Sequence, residues 1–188
     1  MKLYRFDKTP GYTSRETDRL ILAACKDYLH EIGVSPEKTP KCVLRSALGK
    51  PFLPEGLPNV GVTHTDSEVW IAFAPCAFGI DCEKRDRTVR HIEALSRRYY
   101  TENERALIAC QPEVEQKREA FLHLWVKKEA YVKAFGLGLH TMKTFDTEQV
   151  KGTYKDLSTE GNILYVYIPT AQEEADNVSA AKTEVTDL

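Results

Sequence analysis

The segment from about Glu115 to Phe135, closed by Gly136 and Gly138, is the strongest helix of this chain. In its second part, FLHLWVKKEAYVKAF, residues Phe121, Leu122, Leu124, Trp125, Val126, Tyr131, Val132 and Phe135 leave little of the helical surface polar. Such a helix has to be enclosed by other elements. Lys128, Glu129 and Lys133 interrupt the apolar surface, and charges seldom stay buried unless paired or metal-bound, so the surroundings must supply partners. Glu129 and Lys133 lie four apart and share a face. They form either an i,i+4 ion pair, worth roughly 0.2–0.5 kcal/mol on an exposed helix, or a site in which Glu129 completes a metal shell while Lys133 meets a phosphate.

The remaining pattern is mixed. Thr13 and Glu16 have capping-box spacing, and Leu20, Ile21, Ala24, Tyr28 and Ile32 recur at helical intervals up to Gly33, which predicts a helix over about 14–32. Residues 36–58 read as loop with short extended pieces such as Lys41 to Leu44. Val60 and Val62, a turn at His64-Thr65-Asp66-Ser67, and Val69 to Phe73 predict a hairpin, and Phe78 to Glu83 a further strand. Helices follow over Thr88 to Arg98 and Asn103 to Cys110, the latter behind a second capping box at Thr101 and Glu104. Strands are expected near 144–149 and 162–168. The segment after Pro169 reads as a polar, acidic, frayed tail.

At 188 residues the chain suits one domain or two small halves around a shared core. With 29% charged residues and a formal net charge of -2, the bulk composition gives no reason to expect a nucleic-acid or membrane partner. The first residues lack the apolar core of a signal peptide, and no stretch approaches the roughly 20 apolar residues of a membrane span, so a cytoplasmic protein is expected. Cys25, Cys42, Cys76, Cys82 and Cys110 form an odd set without a CxxC pair, which suits reduced core thiols better than disulfides or zinc.

In GIDCEK, Asp81 and Glu83 would project from one face of a strand and crowd each other. Hard oxygen ligands at that spacing suit Mg²⁺, whose octahedron is completed by water and substrate phosphate; a solvated strand end is the plain alternative. His64, between Thr63 and Thr65, sits where hydroxyls and an imidazole could bind an anion, although a lone histidine in a turn is commonly incidental. Gly49-Lys50-Pro51 reads as a turn that could hold a carbonyl and an ammonium against a flat heterocycle.

Taken in order, GKP, a hydroxyl-His-hydroxyl turn, GIDxEK and a helix carrying WxxKEAxxK resemble the surfactin-type 4′-phosphopantetheinyl transferases, over about Gly49 to Leu139. The resemblance implies an α+β fold: a pseudo-twofold pair of similar halves, each with a small antiparallel sheet and a long helix, with coenzyme A in the cleft between them. The N-terminal half would be 1–76, carrying adenine and phosphate binding. The C-terminal half would be 77–170, carrying the magnesium site and carrier docking, and 171–188 would be a disordered tail. Asp81, Glu83 and Glu129 would ligate Mg²⁺. Lys133 and His64 would bind phosphate oxygens, Gly49, Lys50 and Pro51 would line the adenine pocket, and Thr63 would stand where many members have serine. Arg19 and Arg45 are the candidates for the 3′-phosphate, and Lys128 would orient Glu129 or neutralise charge.

The implied reaction is transfer of 4′-phosphopantetheine from coenzyme A to a serine of an acyl or peptidyl carrier protein, with release of 3′,5′-ADP. Glu129 is the candidate base and Lys133 the second catalytic residue. The carrier would dock along Arg97 to Cys110, where Tyr99, Tyr100 and Leu107 read as core first and contact surface second. Two fused halves imply a monomer. The alternatives are a coenzyme A binding or sensing module without transfer, a Mg²⁺-dependent diphosphate hydrolase, and a purely structural domain.

Overall fold

The computed structural model of the chain describes residues 1–46 and 49–176. Its contacts divide the molecule into two units, Met1–Cys76 and Ala77–Leu188, and each closes a core of its own.

In the first unit, strand β1 (Lys2–Asp7) leads into helix α1 (Ser14–Glu31). The helix starts where expected because the Thr13 N–H donates to Glu16 Oε2 at 2.7 Å, half of a complete capping box. It stops at Gly33, whose φ of 74° lies in the left-handed region. A short hairpin, β2 (Leu44–Arg45) with β3 (Pro51–Phe52), precedes β4 (Asn59–His64) and β5 (Glu68–Ala74). The sheet order is β1-β5-β4, antiparallel throughout, and every residue of the central β5 is buried. Ile21, Ala24, Cys25, Tyr28 and Leu29 of α1 pack on Val60, Val69, Ile71 and Phe73. The β4–β5 hairpin agrees with the pattern read from the sequence. The sequence reading did not anticipate β1: it is an edge strand in which Lys2, Arg5 and Asp7 alternate irregularly with apolar residues.

The second unit begins with β6 (Gly79–Lys84), followed by α2 (Ile92–Tyr99), α3 (Glu102–Ala109), α4 (Val114–Phe135), a 3-10 turn at Leu139–Thr144, β7 (Thr153–Asp156) and β8 (Asn162–Ile168). The strand order is β6-β8-β7, again antiparallel. In each unit a three-stranded sheet combines a strand that precedes the long helix with two that follow it, the last strand being central, and the fold is α+β. Helix α4 lies on β6 and β8, with Phe121, Leu122, Leu124, Val126, Ala130 and Ala134 packed with Ile163, Tyr165 and Tyr167. Phe121 and Leu122, 3% and 0% exposed, contribute roughly 1.5–3 kcal/mol apiece. Gly136, left-handed at φ 69°, ends the helix.

Several details differ from the sequence pattern. Residues 144–149 form no strand: Phe145 stacks on Tyr131 with ring centroids 4.0 Å apart, and Asp146 accepts from Thr101 Oγ1 and from the Glu148 N–H. The alternation there records anchoring of a loop, and the strand lies later, at β7. Helix α2 begins at Ile92, four residues after the expected Thr88, because His91 adopts the left-handed conformation just before it, at φ 58°. Residues 171–176, within the segment expected to be frayed, are helical. They are held by buried Glu173, which accepts from the Tyr167 hydroxyl at 2.7 Å and the Thr170 N–H at 2.9 Å. The rest of that segment, 177–188, lies outside the described residues. Among the described residues no two cysteines form a disulfide, and only Cys25 and Cys82 are buried. Among the described residues no helix is long and apolar enough to cross a membrane.

Candidate active site

The candidate chemistry of the second unit rests on one close approach. A Cβ at Gly79 would lie 1.9 Å from the Ala130 carbonyl oxygen and 2.3 Å from the Ala134 nitrogen. The absence of a side chain lets the backbones of β6 and α4 nearly touch, which puts Glu129 and Lys133 beside Asp81, two residues along the same strand face. Asp81 is 4% exposed and accepts a hydrogen bond from Lys133 Nζ. Lys133 Nζ also lies 3.6 Å from Glu129 Oε2, so the i,i+4 pair is present as well. Glu83, on the same strand face as Asp81, is paired with Arg87. The structure therefore brings Asp81, Glu129 and Lys133 together and turns Glu83 to another cation. Among the described residues no three histidine, cysteine, aspartate or glutamate side chains are disposed to hold a metal ion.

Electrostatics of this cluster follow from burial. Burial pushes the Glu129 carboxyl above its ordinary pKa, the negative charge of Asp81 adds to the effect, and Lys133 opposes both. Burial works against the Lys133 ammonium, but Asp81 and Glu129 outweigh it and raise its pKa. One ammonium facing two carboxylates leaves negative charge in excess, and these hard oxygen donors suit a divalent cation of the magnesium type.

Lys128, adjacent to Glu129 in sequence, points elsewhere. It is fully buried, 2.9 Å from Glu104 Oε2, and donates to the carbonyls of Met142 at 2.5 Å and Phe145 at 2.6 Å. Its ammonium lies 4.2 Å from the Phe145 ring centroid. Lys128 is thus a clamp between α4, α3 and the 139–148 loop. Its partner Glu104 carried a signal in the sequence, the Thr101–Glu104 capping box. A capping box reveals one oxygen of the glutamate, however, and here Glu104 also reaches Lys128 and the Thr147 N–H. Of the aromatics considered for docking, Tyr100 is core, with its hydroxyl on the Phe121 carbonyl at 2.8 Å, and Tyr99 packs edge-on to Trp125. Leu107 remains 46% exposed.

In the first unit, His64 ends β4 on the face that carries Val60 and Val62 toward α1, and its Nε2 lies 3.4 Å from Thr17 Oγ1. Strand alternation puts Thr63, which is buried, on the opposite face of β4. Gly49 has φ 82°, and the Lys50 N–H donates to Ser46 Oγ at 3.1 Å, which shapes the turn leading into Pro51; Ala47 and Leu48 lie outside the described residues. Burial pulls the Lys50 ammonium below its ordinary pKa. Arg45 is engaged by Asp18 at 2.5 Å and by the Gly49 carbonyl at 3.0 Å, bracing the turn, whereas Arg19 lies exposed on α1. A separate cavity of 490 Å³ in the second unit, lined by Tyr131, Phe145, Asp146, Lys151 and Glu173 among others, includes none of these candidate residues.

Two comparisons bear on this geometry. The family model of the 4′-phosphopantetheinyl transferase superfamily matches residues 77–174, more than half of the chain, and spans β6 through β8. The 4′-phosphopantetheinyl transferase ffp of Bacillus subtilis is 26% identical over 167 residues, covering 74% of this chain and 72% of that protein.

Proposed function

The chain belongs to the 4′-phosphopantetheinyl transferase superfamily, and on that premise we propose that it moves 4′-phosphopantetheine from coenzyme A to a serine of an acyl or peptidyl carrier protein. The reading is carried by the meeting of Asp81, Glu129 and Lys133 across the Gly79 contact. We place the reaction in the cytoplasm and the enzyme as a monomer.

In the proposed reaction the serine oxygen forms a bond to the β-phosphorus of coenzyme A, the bond to 3′,5′-ADP breaks, and the serine proton must be accepted. Glu129, beside Asp81 and Lys133, is the candidate to accept it. Asp81, Glu83 and Glu129 would hold Mg²⁺, which requires Glu83 to leave Arg87. When bound, the ion would neutralise charge on the pyrophosphate as a Lewis acid. Lys133 would donate to a phosphate oxygen, exchanging a carboxylate for another anion at the same ammonium. Toward the rest of coenzyme A, Gly49, Lys50 and Pro51 would meet the adenine, and Thr63 and His64 the phosphates. Arg19 remains the candidate for the 3′-phosphate. Arg45 could join it only by giving up Asp18 and the Gly49 carbonyl. Exposed Leu107 would contribute to carrier docking.

The pairing of Lys133 with Asp81 also admits a second reading, a coenzyme A binding module without transfer. Intact-protein mass spectrometry of several apo carrier proteins, incubated with the enzyme, coenzyme A and Mg²⁺, separates the two. A chelator-sensitive gain of one phosphopantetheine on any carrier is expected; binding of coenzyme A with no gain on any carrier would establish the module instead.

A further inference from the structure

We propose that residues 8–17, the link from β1 and the first turn of α1, form a collar that positions His64, with Thr17 and Tyr12 orienting the imidazole and Lys8 holding the turn that carries it. The inference rests on the reading above that His64 contacts a phosphate of coenzyme A.

Thr9-Pro10-Gly11-Tyr12 is a tight turn, closed by the Tyr12 N–H on the Thr9 carbonyl at 3.1 Å and permitted by Gly11 at φ 79°. Proline before a glycine of positive φ fixes this turn, so Tyr12 is delivered in one direction. Its ring meets that of His64 edge-on, with centroids 6.2 Å apart, and its hydroxyl lies 2.9 Å from Thr17 Oγ1. Thr17, 5% exposed, is a β-branched residue in a helix, where it is a poor former. Its hydroxyl links Tyr12 to His64 Nε2, at 3.4 Å. Hydroxyls both donate and accept, so the chain Tyr12–Thr17–His64 serves the neutral imidazole, with Thr17 donating to Nε2, and the imidazolium, with Nε2 donating to Thr17. The ring keeps one orientation in either state. Lys8 secures the other side: its N–H donates to the Ser67 carbonyl at 2.8 Å and its Nζ to the Thr65 carbonyl at 2.6 Å, gripping the turn that follows His64. An exposed side chain held in place beforehand loses less freedom when it takes up an anion.

The test measures coenzyme A affinity by calorimetry, with KM and kcat, for the full chain and for Thr17→Val, Thr17→Ser, Tyr12→Phe, His64→Ala and the Thr17→Val/His64→Ala double variant. Thr17→Val keeps the shape of the buried side chain and should weaken coenzyme A binding by roughly 3- to 10-fold, the scale of one hydrogen bond. Thr17→Ser should restore affinity, and Tyr12→Phe should show a smaller loss. In the His64→Ala background Thr17→Val should have no further effect, because a residue acting through His64 cannot act without it. Unchanged affinity in both Thr17→Val and Tyr12→Phe, or an equal loss from Thr17→Val with His64 absent, overturns the collar alone. An affinity unchanged in His64→Ala removes the phosphate role of His64 itself and the collar with it.

Discussion

At Asp81 and Glu129 two carboxylates, the first buried and the second partly so, share one ammonium, and removing either should leave the fold intact while ending the proposed metal-dependent transfer. Asp81→Ala and Glu129→Ala should each lose more than about 100-fold in activity, beyond what supporting residues of metal sites cost; carrier modification followed by mass spectrometry, with circular dichroism as the control for folding, checks this. Full activity of Asp81→Ala in magnesium would remove the metal assignment. Lys133→Ala should weaken coenzyme A binding as well as turnover, since a phosphate contact exists in the ground state too. Unchanged kinetics there would return Lys133 to the role of ion-pair partner that it plays in the structure.

Between elements, the decisive features are a missing side chain and a buried ion pair. Gly79→Ala would drive a methyl group into the Ala130 carbonyl and the Ala134 backbone. Overpacking costs at least about 1–3 kcal/mol, and the displaced α4 carries Glu129 and Lys133, so stability and transfer should fall together. A Gly79→Ala protein with the wild-type melting temperature and activity would show that the β6–α4 approach is not needed. The Lys128–Glu104 pair ties α3, α4 and the 139–148 loop within the second unit. Glu104→Ala would leave the Lys128 ammonium buried without its counter-charge, at a cost of about 3–5 kcal/mol in urea denaturation. A loss below 1 kcal/mol would mean that the carbonyls of Met142 and Phe145 suffice.

For the whole molecule, each unit encloses its own apolar cluster with one long helix on a three-stranded sheet. Sedimentation equilibrium should accordingly return the 21.4 kDa of a single chain. A concentration-dependent rise to twice that mass would replace the monomer with a dimer.

What the sequence determined by itself is what short-range pattern encodes. The α4 helix follows from its run of apolar residues, α1 from the Thr13–Glu16 box and its helical spacing, and the β4–β5 hairpin from paired β-rich runs around a polar turn. The order of GKP, His64, GIDCEK and WVKKEAYVK carried the family resemblance, and the resemblance nominated the candidate site residues. Other features depended on tertiary structure. The edge strand β1 forms because β5 offers it a partner, and 144–149 stays a loop because Tyr131 and Thr101 hold it. Arg45, a candidate for the 3′-phosphate, is paired with Asp18, and Lys128, expected to orient Glu129 or neutralise charge, with Glu104, because these carboxylates, distant in sequence, are folded against them. A sequence shows which residues carry charge; which opposite charge each one meets depends on long-range packing.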